Sequence, residues 1–467
     1  MRRVVARGID FEAVRDEFQL PESYPSAAVA GARSASDRYA PMREDRTDLE
    51  LVTIDPPGSM DLDQALHLDR TSDGFVLHYA VADVGAVVEP GSALDRETRR
   101  RGQTFYFPDG RVPLHPVELS EGSGSLLPGE IRPAALWRIE FSDDAEPLSW
   151  AVTRARVRSV ARLSYAGVQS ESEAGRLHPS ITALPEFGRL RTAAAVARGA
   201  IELRLPEQEV VPDGGDGWRV DLAPRTEADD WNAEVSLVTG MCAAAMMMDA
   251  GIGLLRTLPP AGPDALASLR RTASALGVDW PEGIGAGELL ARLDPNDAST
   301  LVLMTEAPSL LRGAGYAAFD GALPELTVHA AIGAPYAHVT APLRRLSDRY
   351  STEVCLAVSA GTAVPSWARE ALGSMPEIMG TSDALANKVD RACIDLTEAT
   401  VLADRVGEVF DATVLRSREG RRAADVFVPS VSALAKCVGE PAEGEQVKIR
   451  LTSADVVKRT VEFAYPA

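Results

Sequence analysis

The sequence predicts an α+β fold, and three observations carry that expectation. The first half holds short runs of alternating apolar and polar residues, among them "GFVLHYAVADV", "LWRIEFS" and "WAVTRARVRSVARLSY", which is the period of strands. From "DDWNAEVSLVTGMCAAAMMMDAG" onward the pattern becomes mainly helical. The C-terminal stretch then returns to short β-rich runs: "GEVFDATVLRS", "ADVFVPSV" and "EQVKIRLTSADVVKRTVEFAY". Strands and helices gathered in blocks point to α+β rather than to alternating βαβ units.

Taken in order, residues 1–45 carry two weak helical patterns. Phe11, Val14 and Phe18 recur at helical spacing before Pro21, and an alanine-rich segment follows at 27–33. A helical cap on the main domain is expected, with a helix-turn-helix as the alternative. Residues 46–404 read as one mixed domain. Residues 405–467 have the strand spacing of a small OB-type barrel. The segment "VPDGGDGW" at 211–218 reads as a surface hairpin turn. The most apolar stretch, 235–248, lies between Glu234 and Asp249 and is too short to span a bilayer. It reads as a buried helix, with Met246 to Met248 as core filler, so no membrane association is expected.

At 467 residues and 45% apolar content, the chain can bury a sizeable core. A formal charge of −20 argues against a general nucleic-acid coat. A local basic channel stays compatible with it, because binding depends on local charge. Three arginine groups are candidates for such a channel: Arg154, Arg156 and Arg158; Arg96 and Arg99 to Arg101; and Arg416, Arg418, Arg421 and Arg422. A solvated face is the competing reading of each. No apolar run follows the N-terminal arginines, so a secretory signal is not expected. Cys242, Cys355, Cys393 and Cys437 lie far apart without a C-x-x-C pair. Reduced thiols and a cytoplasmic location are the simplest expectation.

The stretch "TIDPPGSMDLDQA" at 53–65 crowds Asp55, Asp61 and Asp63 together. In extended chain Asp61 and Asp63 share one face, with Met60 and Leu62 on the other. The turn at Pro56, Pro57 and Gly58 can return Asp55 to them. Such a cluster is either a solvated acidic turn or a site for a hard cation such as magnesium. A calcium EF-hand is excluded, because Leu66 and Ser72 stand where it needs glycine and glutamate.

This stretch resembles the signature of the ribonuclease II family, T-I-D followed by D-x-D-D. "HYAVADVGAVVEPGSALDRETRRRGQTFYFPDGRVPLHPVELSEGSGSLLPGEIRPA" resembles the adjoining family segment. "GAIELRLPEQEVV" and "YAHVTAPLRRLSDR" resemble later ones, in the family's order. The resemblance implies a hydrolytic, processive 3′-to-5′ exoribonuclease. It would degrade single-stranded RNA to 5′-mononucleotides with magnesium, or manganese, as cofactor. A monomer is the expected state. Asp55, Asp61 and Asp63 match metal-holding aspartates, and Arg344 matches the arginine that stabilises charge on the scissile phosphate. Tyr106 matches the tyrosine that stacks on the terminal base. Tyr165 and Glu234 match residues lining the RNA path, and Asp390 falls near a family glutamate.

Each residue also has a plainer reading. Arg344 could pair with Asp348 at i+4, and Arg345 reads as surface or as a backbone-phosphate contact. Tyr106 could be core, since Phe105 and Phe107 flank it. His338 reads as an RNA contact or as a satisfied core histidine.

The chain departs from the family pattern at three places. Gln64 stands where the family has a fourth aspartate, and an amide oxygen can ligate a cation without adding charge. Weaker metal affinity is expected from it, and an inactive RNA-binding relative is the alternative to an active enzyme. Leu203 stands where the family often has phenylalanine, so the clamp on the terminal base is expected to be looser. The N-terminal segment is too short for the two cold-shock domains of larger members.

Overall fold

The computed structural model describes residues 6–21, 23–202, 207–215, 217–223, 225–293, 298–418 and 423–467. It is α+β, built around two closed five-stranded barrels. The first barrel joins strands Glu44–Ile54, Gln64–Thr71, Gly74–Ala82, Ile131–Phe141 and Pro147–Leu163 in chain order. Consecutive strands pair antiparallel, and the last closes on the first in parallel. Closure leaves these strands no open edge. The alternation read in the sequence announced the strands; their closure depends on pairing between residues far apart in the chain, which no local pattern shows.

Both faces of these strands are apolar. Leu66, Leu77, Tyr79 and Trp137 join one core with Trp231, Val235 and Val238 of helix Glu227–Ala250. Leu51, Ala65, Ala80 and Leu136 join another with Ala28 and Ala32 of helix Ser26–Arg33 and Leu94 of helix Ala93–Arg101. Helix Glu227–Ala250 is the buried helix expected around 235–248. It starts at a capping box between Thr226 and Asp229, which satisfies two of the otherwise orphan N–H groups. All four cysteines are free and buried.

The C-terminal barrel holds strands Val409–Arg416, Ala424–Val428, Ala433–Val438, Gln446–Asp455 and Thr460–Ala464. The third and fifth pair in parallel and the others antiparallel, the arrangement of an OB fold. Its core includes Phe410, Val414, Val426, Ile449 and Phe463.

Helix Met375–Leu402 links the two halves. Its Val389, Cys393 and Leu396 form a cluster with Phe105 and Phe107 and with Phe11 and Val14 of the N-terminal segment. Helix Glu12–Glu17 is therefore a buttress. Arg15, within it, stacks on Phe107 at 4.3 Å and pairs with Asp109. The segment before it contributes strand Ala6–Arg7 to the hairpin Glu207–Pro212 and Gly217–Ala223, whose turn is the one expected at 211–218. The two N-terminal helices pack on different neighbours, Glu12–Glu17 in the cluster of the long helix and Ser26–Arg33 against the first barrel.

Glu398, near the end of the long helix, is buried against the C-terminal barrel. Its Oε1 accepts from Gln208 Nε2 (2.8 Å) and Leu434 N (3.3 Å). Burial pushes its carboxyl from 4.5 up to about 7, and the hydrogen bonds pull the other way. The stability this acid supports is complete below its unfolded value and is lost as pH rises through about 7. Glu398→Gln keeps the acceptor and removes the buried charge. We expect its thermal unfolding to match the unaltered protein near pH 4.5. Near pH 8.5 it should be more stable by on the order of 1–3 kcal/mol.

Candidate active site

The acidic loop between the first two barrel strands lines a cavity of about 720 Å³. Pro57 and Gly58 take the central positions of a turn closed by Ser59 N to Pro56 O at 3.2 Å. Gly58 has φ +87°, which a side chain there would strain. The loop is pinned from several sides. Asp55 N donates to Leu163 O (3.0 Å), Arg162 Nη1 to Ser59 O (2.7 Å) and Leu126 N to Leu62 O (3.0 Å). Leu62 is fully buried, whereas Met60 is 38% exposed, so only one of the expected apolar pair enters the core. The loop is irregular up to Asp63, and the strand starts at Gln64.

All three aspartates line the cavity together with Arg344. Asp63 is buried, and its Oδ1 accepts from Leu343 N at 2.7 Å. Its Oδ2 lies 3.3 Å from Arg344 Nε. Burial pushes the Asp63 carboxyl up to about 8, with Arg344 opposing. Burial raises Asp55 too, again against Arg344, and Asp55 Oδ2 is buried without a hydrogen-bond partner. Asp61 accepts from Arg111 Nη1 at 2.7 Å. Among the described residues, no three acidic, histidine or cysteine side chains stand close enough together to hold an ion in this arrangement. The arginines account for it, because each draws one aspartate to itself. The donor chemistry nevertheless fits a hard cation: carboxylates, one of them with an orphaned buried oxygen, in a cavity that also admits solvent.

Arg344 and Arg345 have separated roles. Arg345 forms a bidentate pair with the fully buried Asp348, at 2.6 and 2.8 Å, and Asp348 also caps Ala341 N. The pairing expected of Arg344 with Asp348 thus belongs to its neighbour Arg345, whose side chain also lines the cavity. Arg344, 49% exposed at its side chain, is left facing the cavity.

Tyr106 sits on strand Phe105–Phe107 with its neighbours buried and itself 51% exposed. It lines the cavity, so the core reading fails and the alternation of faces holds. The backbone joins this segment to the arginine, with Thr104 N donating to Arg344 O at 2.9 Å. Tyr165, at the start of helix Tyr165–Glu173, lines the same cavity and takes a 3.4 Å hydrogen bond from Asn232. Gln64 lines the cavity as well, and its carbonyl accepts from Tyr79 at 2.8 Å.

Three expected residues lie elsewhere. Glu234 is buried 3.9 Å from Arg191 and faces a separate cavity of about 310 Å³ beside Arg198. His338 bonds Tyr316 through Nδ1 at 2.8 Å and stacks edge-on with Tyr336. Burial drives its basicity well below the ordinary value, so it is the satisfied histidine and not part of this cavity. Asp390 is on an exposed face of helix Met375–Leu402, outside the cavity lining. Leu203 lies outside the described residues, as do Arg421 and Arg422.

The arginine-channel expectation is corrected also. Arg154 pairs with buried Asp83 and with Glu353 at 2.7 Å, and Arg156 with Asp45 at 2.6 Å. Arg100 and Arg101 both pair with Glu97, and Arg99 with Asp95. Arg416 pairs with Glu306. These side chains hold elements together rather than line the cavity. Sequence reasoning missed two arginines of the lining, Arg225 and Arg111. Arg111 stands directly across the strand pair from Tyr106, a position legible only once that hairpin is known.

Residues 43–357 match the RNB domain, and residues 408–465 match the RNase II-type exonuclease C-terminal S1 domain. The chain is 29% identical over 331 residues to exosome complex exonuclease RRP44 homolog A of Arabidopsis thaliana, covering 68% of this chain and 35% of that protein. It is 26% identical over 501 residues to ribonuclease R of Escherichia coli K12, covering 96% of this chain and 60% of the relative. The fold superposes on apo RNase R of Mycoplasma genitalium with a TM-score of 0.86, at 18% identity, over 97% of this chain and 77% of the other. The chain thus spans between about a third and three fifths of the length of these two curated relatives.

The two neighbouring arginines predict unequal costs. Arg345→Ala leaves a buried carboxylate unpaired and should cost about 3–5 kcal/mol in chemical denaturation. Arg344→Ala removes a half-exposed group and should cost only about 1 kcal/mol in the same measurement, because Asp63 keeps its hydrogen bond from Leu343 N.

Proposed function

This chain belongs to the RNB-domain family, and from that premise we propose that it is a 3′-to-5′ exoribonuclease. It hydrolyses single-stranded RNA processively to 5′-mononucleotides. The observation that carries the reading is one cavity holding three aspartates, a cavity-facing arginine and a half-exposed tyrosine.

Among the described residues, the lining has five carboxylates against four guanidinium groups. Asp55, Asp61 and Asp63 would hold magnesium, with manganese as a substitute, and a single divalent ion reverses the sign of the site. When bound, it neutralises phosphate charge and makes a water more acidic. Asp61, now paired with Arg111, would give up that pair to help hold the ion, and the guanidinium would then be available to an RNA phosphate. Arg344 offers a planar fork of donors to the scissile phosphate and resists deprotonation. Asp63, already fixed by Leu343 N, keeps Arg344 aimed. Tyr106 stacks on a base without selecting among bases, at about 1–3 kcal/mol. Tyr165 and Asn232 line the same cavity for the adjoining nucleotide.

The test is a 5′-labelled oligoadenylate incubated with Mg²⁺, with EDTA, and with an Asp63→Asn variant in Mg²⁺. A stepwise shortening ladder in the first alone is expected. RNA intact in all three contradicts the proposal and favours the RNA-binding relative suggested by Gln64. The matching deoxyoligonucleotide should be spared if ribose hydroxyl contacts select the substrate. Tyr106→Ala should raise KM for a short oligonucleotide roughly 5- to 100-fold, and Tyr106→Phe should restore it, because either ring stacks. Unchanged KM in Tyr106→Ala would remove the stacking role.

A further inference from the structure

Gln64 lines the cavity with the aspartates, yet its hydrogen bonding is set from the barrel core. Tyr79, fully buried in the barrel core, directs its hydroxyl at Gln64 Oε1 (2.8 Å). The same hydroxyl lies 2.7 Å from Ser236 Oγ on helix Glu227–Ala250. These distances form one chain, with Ser236 donating to Tyr79 and Tyr79 donating to Gln64. Each link polarises the next. Burial raises the Tyr79 phenol far above its ordinary range, so it remains a donor throughout.

An amide whose carbonyl is taken from behind shows its other end in front. We propose that Gln64 presents its NH₂ group to the cavity and donates to a substrate phosphate or ribose oxygen, leaving cation binding to Asp55, Asp61 and Asp63. The electrostatics agree. A carbonyl turned inward would face the carboxylates of Asp61 and Asp63 across the same cavity, whereas N–H groups are attracted by them and by an arriving polyanion. The reversed chain, with Gln64 donating to Tyr79 and Tyr79 to Ser236, would turn the amide carbonyl toward those carboxylates. Tyr79 is on this account a positioning residue. It holds the amide orientation without touching substrate.

The inference rests on the cavity being the hydrolytic site, and the experiment separates the two. Mn²⁺ binding is followed by electron paramagnetic resonance. Affinity for a 5′-labelled oligoadenylate with phosphorothioate 3′-terminal linkages is followed by fluorescence anisotropy in Mn²⁺. Gln64→Ala should leave Mn²⁺ affinity within twofold and weaken the oligonucleotide roughly tenfold, the loss of one donor to an anion. Tyr79→Phe frees the amide to turn. It should weaken the oligonucleotide to a similar degree and tighten Mn²⁺, opposite movements that simple loss of packing does not produce. Gln64→Ala in the Tyr79→Phe background should then weaken the oligonucleotide no further. A tenfold loss of Mn²⁺ affinity in Gln64→Ala with oligonucleotide binding intact would make the carbonyl a ligand and overturn the inference. No change in either quantity would overturn it too. If the unaltered protein binds no Mn²⁺ at this cavity, the hydrolytic reading falls and takes the inference with it.

Discussion

The carboxylate of Asp63 is the point on which the site is assembled. It sits at the end of the acidic loop, where the second barrel strand begins, and takes its hydrogen bond from Leu343 in a segment nearly the whole domain away. That bond brings Arg344 to the barrel mouth. It also costs something, since a buried carboxylate with one amide donor and one half-exposed guanidinium is far from fully compensated. The protein keeps a poorly satisfied acid where an apolar residue would stabilise the fold more. Such an arrangement makes sense where the missing compensation arrives with a ligand.

Around this point the chain divides its arginines between structure and chemistry. Arg345 saturates Asp348, Arg154 bridges Asp83 and Glu353, and Arg101 is buried against Glu97 and Pro113. These pairs consume most of the basic clusters visible in the sequence. Beside its aspartates the cavity holds Arg111, Arg225, Arg344 and Arg345, so an acidic protein gathers basic groups at this place. Tyr106 is fixed by an equally indirect route. Phe105 and Phe107 anchor its strand in a cluster with the long helix and the N-terminal buttress, and Tyr106 between them is left to the solvent side.

Much of this was legible before any coordinates. The aspartates, Arg344 and Tyr106 come from short motifs whose spacing survives folding, and the C-terminal barrel follows from the rhythm of its strands. What the sequence hid were relations between distant segments. The first barrel closes through a parallel pairing of Glu44–Ile54 with Pro147–Leu163. His338 is claimed by Tyr316, which local sequence does not reveal. Glu234 lies on the right helix but faces the neighbouring cavity, because helical position alone does not fix which of two walls a side chain serves. Gln64 shows the same limit. Its identity can be read, whereas the orientation of its amide depends on Tyr79 and Ser236.

If the acidic cavity delivers water to a phosphodiester, as proposed, the oxygen of that water ends up on the released phosphate. The most direct measurement is RNA digestion in ¹⁸O-enriched water with mass analysis of the products. The account predicts 5′-mononucleotides that carry one ¹⁸O in the phosphate. Nucleoside diphosphates formed with added inorganic phosphate, or 2′,3′-cyclic ends without label, would contradict it, because the attacking oxygen would then have come from phosphate or from the ribose.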